Sequence, residues 1–329
     1  MSRLRLTFAC CRYDRTEAIR EGTVTVEGVE LTCITLKSGR EIFDRMVGGR
    51  EFEISELSAS EYISCVGRGD CPFVALPVFP SRVFRHGYIF INGRSGIRTP
   101  KNLEGRRVGL PLYTQTAAIW TRGHLKHQFG VDLDTVRWMQ GAVEDAGMHG
   151  KPHAPALLRP VAIEQNRSGA SLATLLARGE IEALIGSRKP ETFGRDPQIV
   201  RLFPNHRALE RELYQTTGIF PIMHLIVMRR ELHERHRWLA TNLYEALVKS
   251  KRRALARMRY AGSLSTMLPW LQSEIEEIDE VFGGDAWPYG VEPNRPTLQA
   301  LIRYMVEQDF ISKPIPTEDL FVPIMVDGT

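Results

Sequence analysis

Within TGIFPIMHLIVM, residues 217–228, one histidine stands in an otherwise apolar run. In strand geometry Phe220, Ile222, His224, Ile226 and Met228 share one face, while Pro221, Met223, Leu225 and Val227 share the other. Both faces are apolar, which describes a strand covered on both sides. An imidazole gives or takes a proton near neutral pH, and proton transfer from a positioned side chain contributes roughly 100- to 10,000-fold in rate. His224 is therefore either a hydrogen-bonded core residue or an acid-base group mounted on a rigid element.

Other candidates fall at junctions between elements. ACCRYDRT, residues 9–16, places Tyr13, Asp14 and Arg15 just after a strand, where open α/β sheets present ligand-binding loops; the alternative is a helix start capped by Asp14. SELSASEY matches the S-x-x-E capping box, with Ser58 as cap and Glu61 reaching back. Ser58 is also able to face a ligand from the strand end. Arg82 and Arg85 in PSRVFRHGYIF are candidates for carboxylate recognition through paired hydrogen bonds. In GLPLYTQTAAIW the turn Tyr113, Thr114, Gln115 and Thr116 lies between strand and helix, where the positive end of the helix dipole favours an anion; Thr114 is the expected helix cap. IGSRKPETF puts Arg188 just past another strand.

The positioning elements read as α/β. Strand-like runs such as RLRLTFACC, FEISELS and FVALPVFP alternate with helical ones, favouring a mainly parallel sheet. A second α/β lobe begins after the Gly- and Pro-rich NGRSGIRTPKNLEG. It contains a helix stopping at Gly130, a polar, Pro-rich stretch from Gly141 to Pro160, and a helix stopping at Gly179. Mostly helical sequence follows His224. The expected organisation is a discontinuous lobe of residues 1–94 and 206–329, an inserted lobe of residues 95–205, and a ligand cleft between them. The basic helix near 237–260 is either a solvated face or an oligomer surface.

Composition narrows the function classes. The 329 residues are 43% hydrophobic and 25% charged, with a net charge of +4. Basic residues are interspersed with acids, so nucleic acid is not an expected partner. No run approaches the roughly 20 apolar residues needed to cross a bilayer, and no signal-peptide core is found. Cys10, Cys11, Cys33, Cys65 and Cys71 form an odd set without CxxC spacing, as expected of reduced thiols in the cytoplasm. His233 and His236 are three apart, not the four of a zinc helix. No metal site, P-loop or dinucleotide fingerprint is expected.

ACCRYDRT, FPSRVFRH, TGIFPIMH, AWPYGVEPNRPTL and EDLFVP together resemble the 4,5-dihydroxyphthalate decarboxylase family along nearly the whole chain. The resemblance implies a two-lobed fold similar to type II periplasmic binding proteins. It also implies loss of one ring carboxylate from 4,5-dihydroxyphthalate, giving 3,4-dihydroxybenzoate and carbon dioxide. Each hydroxyl is para to a carboxylate, so a phenolate makes the carboxyl-bearing carbon basic enough to protonate without an organic cofactor. The implied roles are His224 as proton donor or phenol base, and Asp14 as its orienting group or the base for a hydroxyl. Arg15, Arg82 and Arg188 would anchor carboxylates. Tyr13, Ser58, Tyr113, Thr114, Gln115 and Thr116 complete the candidate site. Cys11, Arg12 and Leu112 depart from the family pattern, which leaves the substrate open between 4,5-dihydroxyphthalate and a close relative. A homo-oligomer is the expected assembly. The alternative is a non-catalytic solute-binding protein for an aromatic carboxylate.

Overall fold

The computed structural model describes residues 3–147, 149–150 and 157–325. Among these, eleven strands run in chain order: β1 (Leu4–Ala9), β2 (Val29–Ile34), β3 (Ile54–Ser58), β4 (Phe73–Arg82), β5 (Ile89–Asn92), β6 (Arg107–Leu110), β7 (Arg137–Gln140), β8 (Ile163–Gln165), β9 (Ala183–Ile185), β10 (Ile199–Arg201) and β11 (Ile222–Arg229). They form a five-stranded sheet of order β2-β1-β3-β11-β4 and a six-stranded sheet of order β10-β5-β9-β6-β7-β8. Both sheets are mixed. β1 runs parallel to β2 and β3 while β11 runs antiparallel to β3, and β5 runs antiparallel to both β9 and β10.

The chain divides into two compact units. The first comprises Met1–Arg82, His224–Leu298 and Ile315–Thr329, and the second Val83–Met223 and Gln299–Pro314. These bounds differ from the expected 94/95 and 206. The reason is hydrogen bonding: β5 pairs with β9 and β10, which commits residues 89–92 to the second sheet. The helix His206–Thr217 joins the same unit, with Glu210 Oε1 accepting from the Gly87 amide at 3.1 Å. Residues 299–314 belong there too, because Tyr304 meets Trp120 edge-on and Gln308 binds Arg122.

In the first unit the core brings together Leu6 and Phe8 of β1, Ile54 of β3, Leu76 and Val78 of β4, and Ile226 and Met228 of β11. The helix Trp238–Arg259 covers it with Leu239, Ala240, Leu243, Ala246 and Leu247, spaced to share one stripe. Its apolar stripe is thus covered within the unit, while Trp238 at its start is 38% exposed.

The second unit has its own core of Phe90, Met139, Leu172, Leu175, Leu176, Leu184 and Ile199. Its helix Thr116–Phe129 stops at Gly130, whose φ of 64° is the left-handed cap conformation. Midway along that helix, a Cβ at Gly123 would lie 2.1 Å from the Tyr304 ring, so only glycine admits this contact.

Two expected caps are corrected. Ser58 is the N-cap of Ala59–Arg68 but makes no side-chain cap hydrogen bond, and the Glu61 carboxylate accepts from Arg40. The N-cap of Thr116–Phe129 is Gln115, one residue later than Thr114. The stretch Gly141 to Pro160 lies partly outside the described residues. Among the described residues no helix is long and apolar enough to cross a membrane.

Candidate active site

β3 is ISELS, and all five residues are buried. Glu56 at its centre is fully enclosed, an acid as anomalous there as the histidine is in β11. The antiparallel register sets His224 opposite Ser58 and Ile226 opposite Glu56, so residues 56, 58, 224 and 226 share one face. His224 Nδ1 lies 2.5 Å from Glu56 Oε1. In Ile222–Met228 His224 alone is partly exposed, its side chain 24% accessible against none for Glu56. The edge of the Phe43 ring meets the imidazole at 4.8 Å between centroids, at 73°.

The Glu56 carboxylate gathers further donors from the loop after β1. The Tyr13 hydroxyl donates to Oε1 at 2.6 Å, the Cys11 amide to Oε2 at 2.9 Å, and the Cys10 thiol to Oε2 at 3.5 Å. Burial alone would raise its pKa. The positive character of His224, with the His224, Tyr13 and Cys11 hydrogen bonds, overcomes burial and brings it to about 2. Burial and the adjacent carboxylate push the Tyr13 phenol far above its ordinary value and the Cys11 thiol up to about 12. Glu56 is thus a permanent acceptor, while Tyr13 and both cysteines stay protonated.

A carboxylate on Nδ1 keeps a proton on that nitrogen and presents Nε2 as the nitrogen that exchanges with a ligand. Among the described residues Nε2 has no hydrogen-bond partner. The group holding Nδ1 is Glu56 and not the expected Asp14. Asp14 is half exposed and accepts from the Arg15 amide at 2.7 Å and Arg15 Nη1 at 3.0 Å. Sequence reading missed Glu56, because in ISELS the acid stands beside Ser55 and Ser58 and is not a lone polar residue in an apolar run as His224 is.

The remaining first-unit candidates take up defined places. The Arg15 guanidinium lies between the rings of Tyr13 and Trp287, 4.3 and 4.4 Å from their centroids, and its Nε donates to the Pro80 carbonyl at 2.7 Å. It clamps the Tyr13 ring in place of the expected open carboxylate anchor. Arg82, 5% exposed, donates to Asn294 Oδ1 and lies over Phe79, so it too is committed inside the unit. Ser58 is buried, with its hydroxyl 3.2 Å from that of Ser60. Helices Gly39–Gly49 and Ala59–Arg68 are joined by Arg40, which donates to Glu61 Oε2 at 3.0 Å and pairs with Asp44 at 2.8 Å. That pairing fixes Phe43 beside the imidazole.

Arg188, Tyr113, Thr114, Gln115 and Thr116 belong to the second unit. Arg188 is exposed on the loop after β9. Tyr113 is a core residue, packed edge-on against Trp138 and parallel to Phe310. Thr114, Gln115 and Thr116 form the turn into the helix Thr116–Phe129.

No family model matches the chain. Solved structures define the fold class. A protein from Bordetella bronchiseptica RB50 superposes with a TM-score of 0.56 at 15% identity, covering 97% of this chain and 95% of that one. The periplasmic aliphatic sulphonate binding protein SsuA of Escherichia coli gives 0.54 at 9% identity, covering 97% and 98%. The chain therefore has the α/β fold of type II periplasmic binding proteins, here carrying a buried carboxylate paired with a partly exposed imidazole. Among curated proteins, the 4,5-dihydroxyphthalate decarboxylase of Comamonas testosteroni is 33% identical over 329 residues, all of this chain and 99% of that protein. That of Pseudomonas putida is 33% identical over 216 residues, 65% of this chain and 83% of the relative. The chain belongs to the 4,5-dihydroxyphthalate decarboxylase family.

Proposed function

We propose that the chain removes one carboxylate from 4,5-dihydroxyphthalate, giving 3,4-dihydroxybenzoate and carbon dioxide, with His224 as the proton donor. The observation that carries this reading is the His224–Glu56 pair with Tyr13 behind it, in a chain of this family. A phenolate para to the departing carboxylate makes its ring carbon basic. His224 Nε2 gives that carbon a proton, the carbon–carbon bond breaks, and its electron pair restores the aromatic ring as carbon dioxide leaves. His224 then recovers a proton from solvent. Glu56 stabilises the imidazolium before transfer and holds the ring plane throughout, so the donor is already oriented when the substrate arrives.

Arg15 and Arg82 already serve protein groups inside the first unit, so in this reading neither grips the departing carboxylate. Only interactions that strengthen in the transition state raise the rate. A cation gripping the departing carboxylate would oppose its loss. The reading includes a cytoplasmic location, supported by five unpaired thiols, and a homo-oligomer, supported by family likeness.

Purified protein incubated with 4,5-dihydroxyphthalate, with and without chelator, tests the proposal by release of carbon dioxide and 3,4-dihydroxybenzoate. His224→Asn is expected to lower turnover by roughly 100- to 10,000-fold with circular dichroism unchanged. Substrate binding without product in the wild type would overturn the reading in favour of a solute receptor.

A further inference from the structure

In the first unit, residues 260–270 join the helix Trp238–Arg259 to the helix Leu271–Phe282, and every one of them is exposed. Five are nevertheless large and apolar: Tyr260, Leu264, Met267, Leu268 and Trp270, with Met267 99% and Trp270 75% exposed. The other exposed large apolar side chains, Leu158, Val200, Trp238 and Met325, are scattered along the chain. The base of the loop is closed. Arg259 pairs with Asp279 and donates to the Gly284 carbonyl at 2.8 Å, and the Ser265 hydroxyl donates to the Arg257 carbonyl at 3.5 Å. The loop is thus an arm on a fixed base, and no described residue covers its apolar side chains.

Area and charge together identify what covers it. The five side chains present roughly 600 Å², the upper end of what a monomer leaves open, and two such surfaces joined bury about 1,200 Å², enough for a stable interface. Charges of opposite sign flank the arm. Arg253 and Arg257 are exposed four residues apart on the helix before it, and Glu276 and Glu280 are exposed four apart on the helix after it. Each pair therefore lies on one face of its helix. Lys251 and Arg259 spend their charges on Asp285 and Asp279, whereas these four have no ion-pair partner among the described residues. An anionic lipid surface would attract the arginines and repel the glutamates. A second copy of this chain offers both signs, because two-fold pairing sets the basic row of each copy against the acidic row of the other.

We propose that the arm of residues 260–270 is the surface through which two copies of this chain associate about a two-fold axis, Met267 and Trp270 packing on their counterparts while Arg253 and Arg257 of one copy meet Glu276 and Glu280 of the other. The inference rests on the homo-oligomer of the proposed function, to which it gives a surface, and is independent of the decarboxylation. It also decides between the two roles open to the basic helix near 237–260.

Light scattering of the full chain at about 50 µM, well above the Kd of a stable interface, measures the mass. Wild type is expected at twice 37.4 kDa or a larger even multiple. Met267→Asp with Trp270→Asp weakens association by about 100-fold or more and at least halves that mass, since a few central anchors carry most of an interface's energy. Arg253→Glu with Arg257→Glu sets like charges across the two-fold axis, as does Glu276→Arg with Glu280→Arg, and each lowers the mass in the same way. Mixing those two variants restores it, because each then meets the opposite charge. All these side chains are exposed, so circular dichroism and urea midpoints stay at wild-type values. An oligomer whose mass survives Met267→Asp with Trp270→Asp overturns the inference and leaves the homo-oligomer standing, whereas wild type at 37.4 kDa overturns both. Charge variants that stay apart when mixed overturn the two-fold pairing. Monomeric protein that sediments with phosphatidylserine vesicles through Met267 and Trp270 assigns the arm to a lipid surface and overturns the inference as well. Carbon dioxide release from 4,5-dihydroxyphthalate, measured on the same samples, decides the decarboxylase reading separately.

Discussion

Glu56 supports His224 in two ways that mutation can separate. Glu56→Gln keeps the shape and an acceptor oxygen but removes the negative charge that holds the proton on Nδ1. Turnover is expected to fall by about 100-fold or more, and the loss should appear in kcat rather than KM. The same residue carries an acid-stability signature. Its folded-state pKa of about 2 lies below the ordinary 4.5, so its contribution to stability is fully present above 4.5 and lost as pH falls toward 2. Urea midpoints measured from pH 5 down to pH 2.5 should therefore decline more steeply in wild type than in Glu56→Gln. Equal slopes would mean that the carboxylate gains nothing from Tyr13, Cys11 and His224.

At the level of elements, the site depends on two helices being tied to each other before either can support the imidazole. Arg40 on Gly39–Gly49 and Glu61 on Ala59–Arg68 form that tie, with side chains 13% and 5% exposed. Removing the cation leaves Glu61 enclosed beside Ser58 and Ser60. Arg40→Met is expected to cost about 3 kcal/mol in urea unfolding, the range for breaking one side of a buried ion pair. It should also slow turnover, because Phe43 loses its position against His224. A variant as stable as wild type would show that the pair contributes orientation alone. β11 itself tolerates no slip: a one-residue shift against β3 would turn His224 to the opposite face and away from Glu56.

Over the whole molecule, each unit holds a buried carboxylate that ties its stability to pH. Glu56 contributes acid sensitivity in the first. In the second, burial raises Glu210 to about 7, outweighing the Gly87 amide and the Arg201 and Arg85 charges that pull the other way. A carboxyl whose folded pKa lies above 4.5 contributes stability that is present below 4.5 and lost as pH rises through 7. Glu210→Gln keeps the oxygen that accepts from Gly87 and avoids that loss. Its melting temperature is expected to exceed wild type at pH 8 and to match it near pH 4.5. A gain of the same size at both pH values would assign the effect to packing instead.

The sequence by itself determined the α/β class, the helix stops at Gly130 and Gly179, and the oddness of His224, because each is written in local spacing or in a backbone conformation that glycine favours. It also carried the family, through TGIFPIMH and AWPYGVEPNRPTL. What only the tertiary structure decided is who meets whom. Glu56 reaches His224 across 168 residues because β11 inserts beside β3, and Arg15 and Arg82 turn inward because Trp287 and Asn294 come from far along the chain. Hydrophobic periodicity reports that a face is covered but not by which strand, so a buried acid and a half-buried base look equally isolated until the sheet order pairs them.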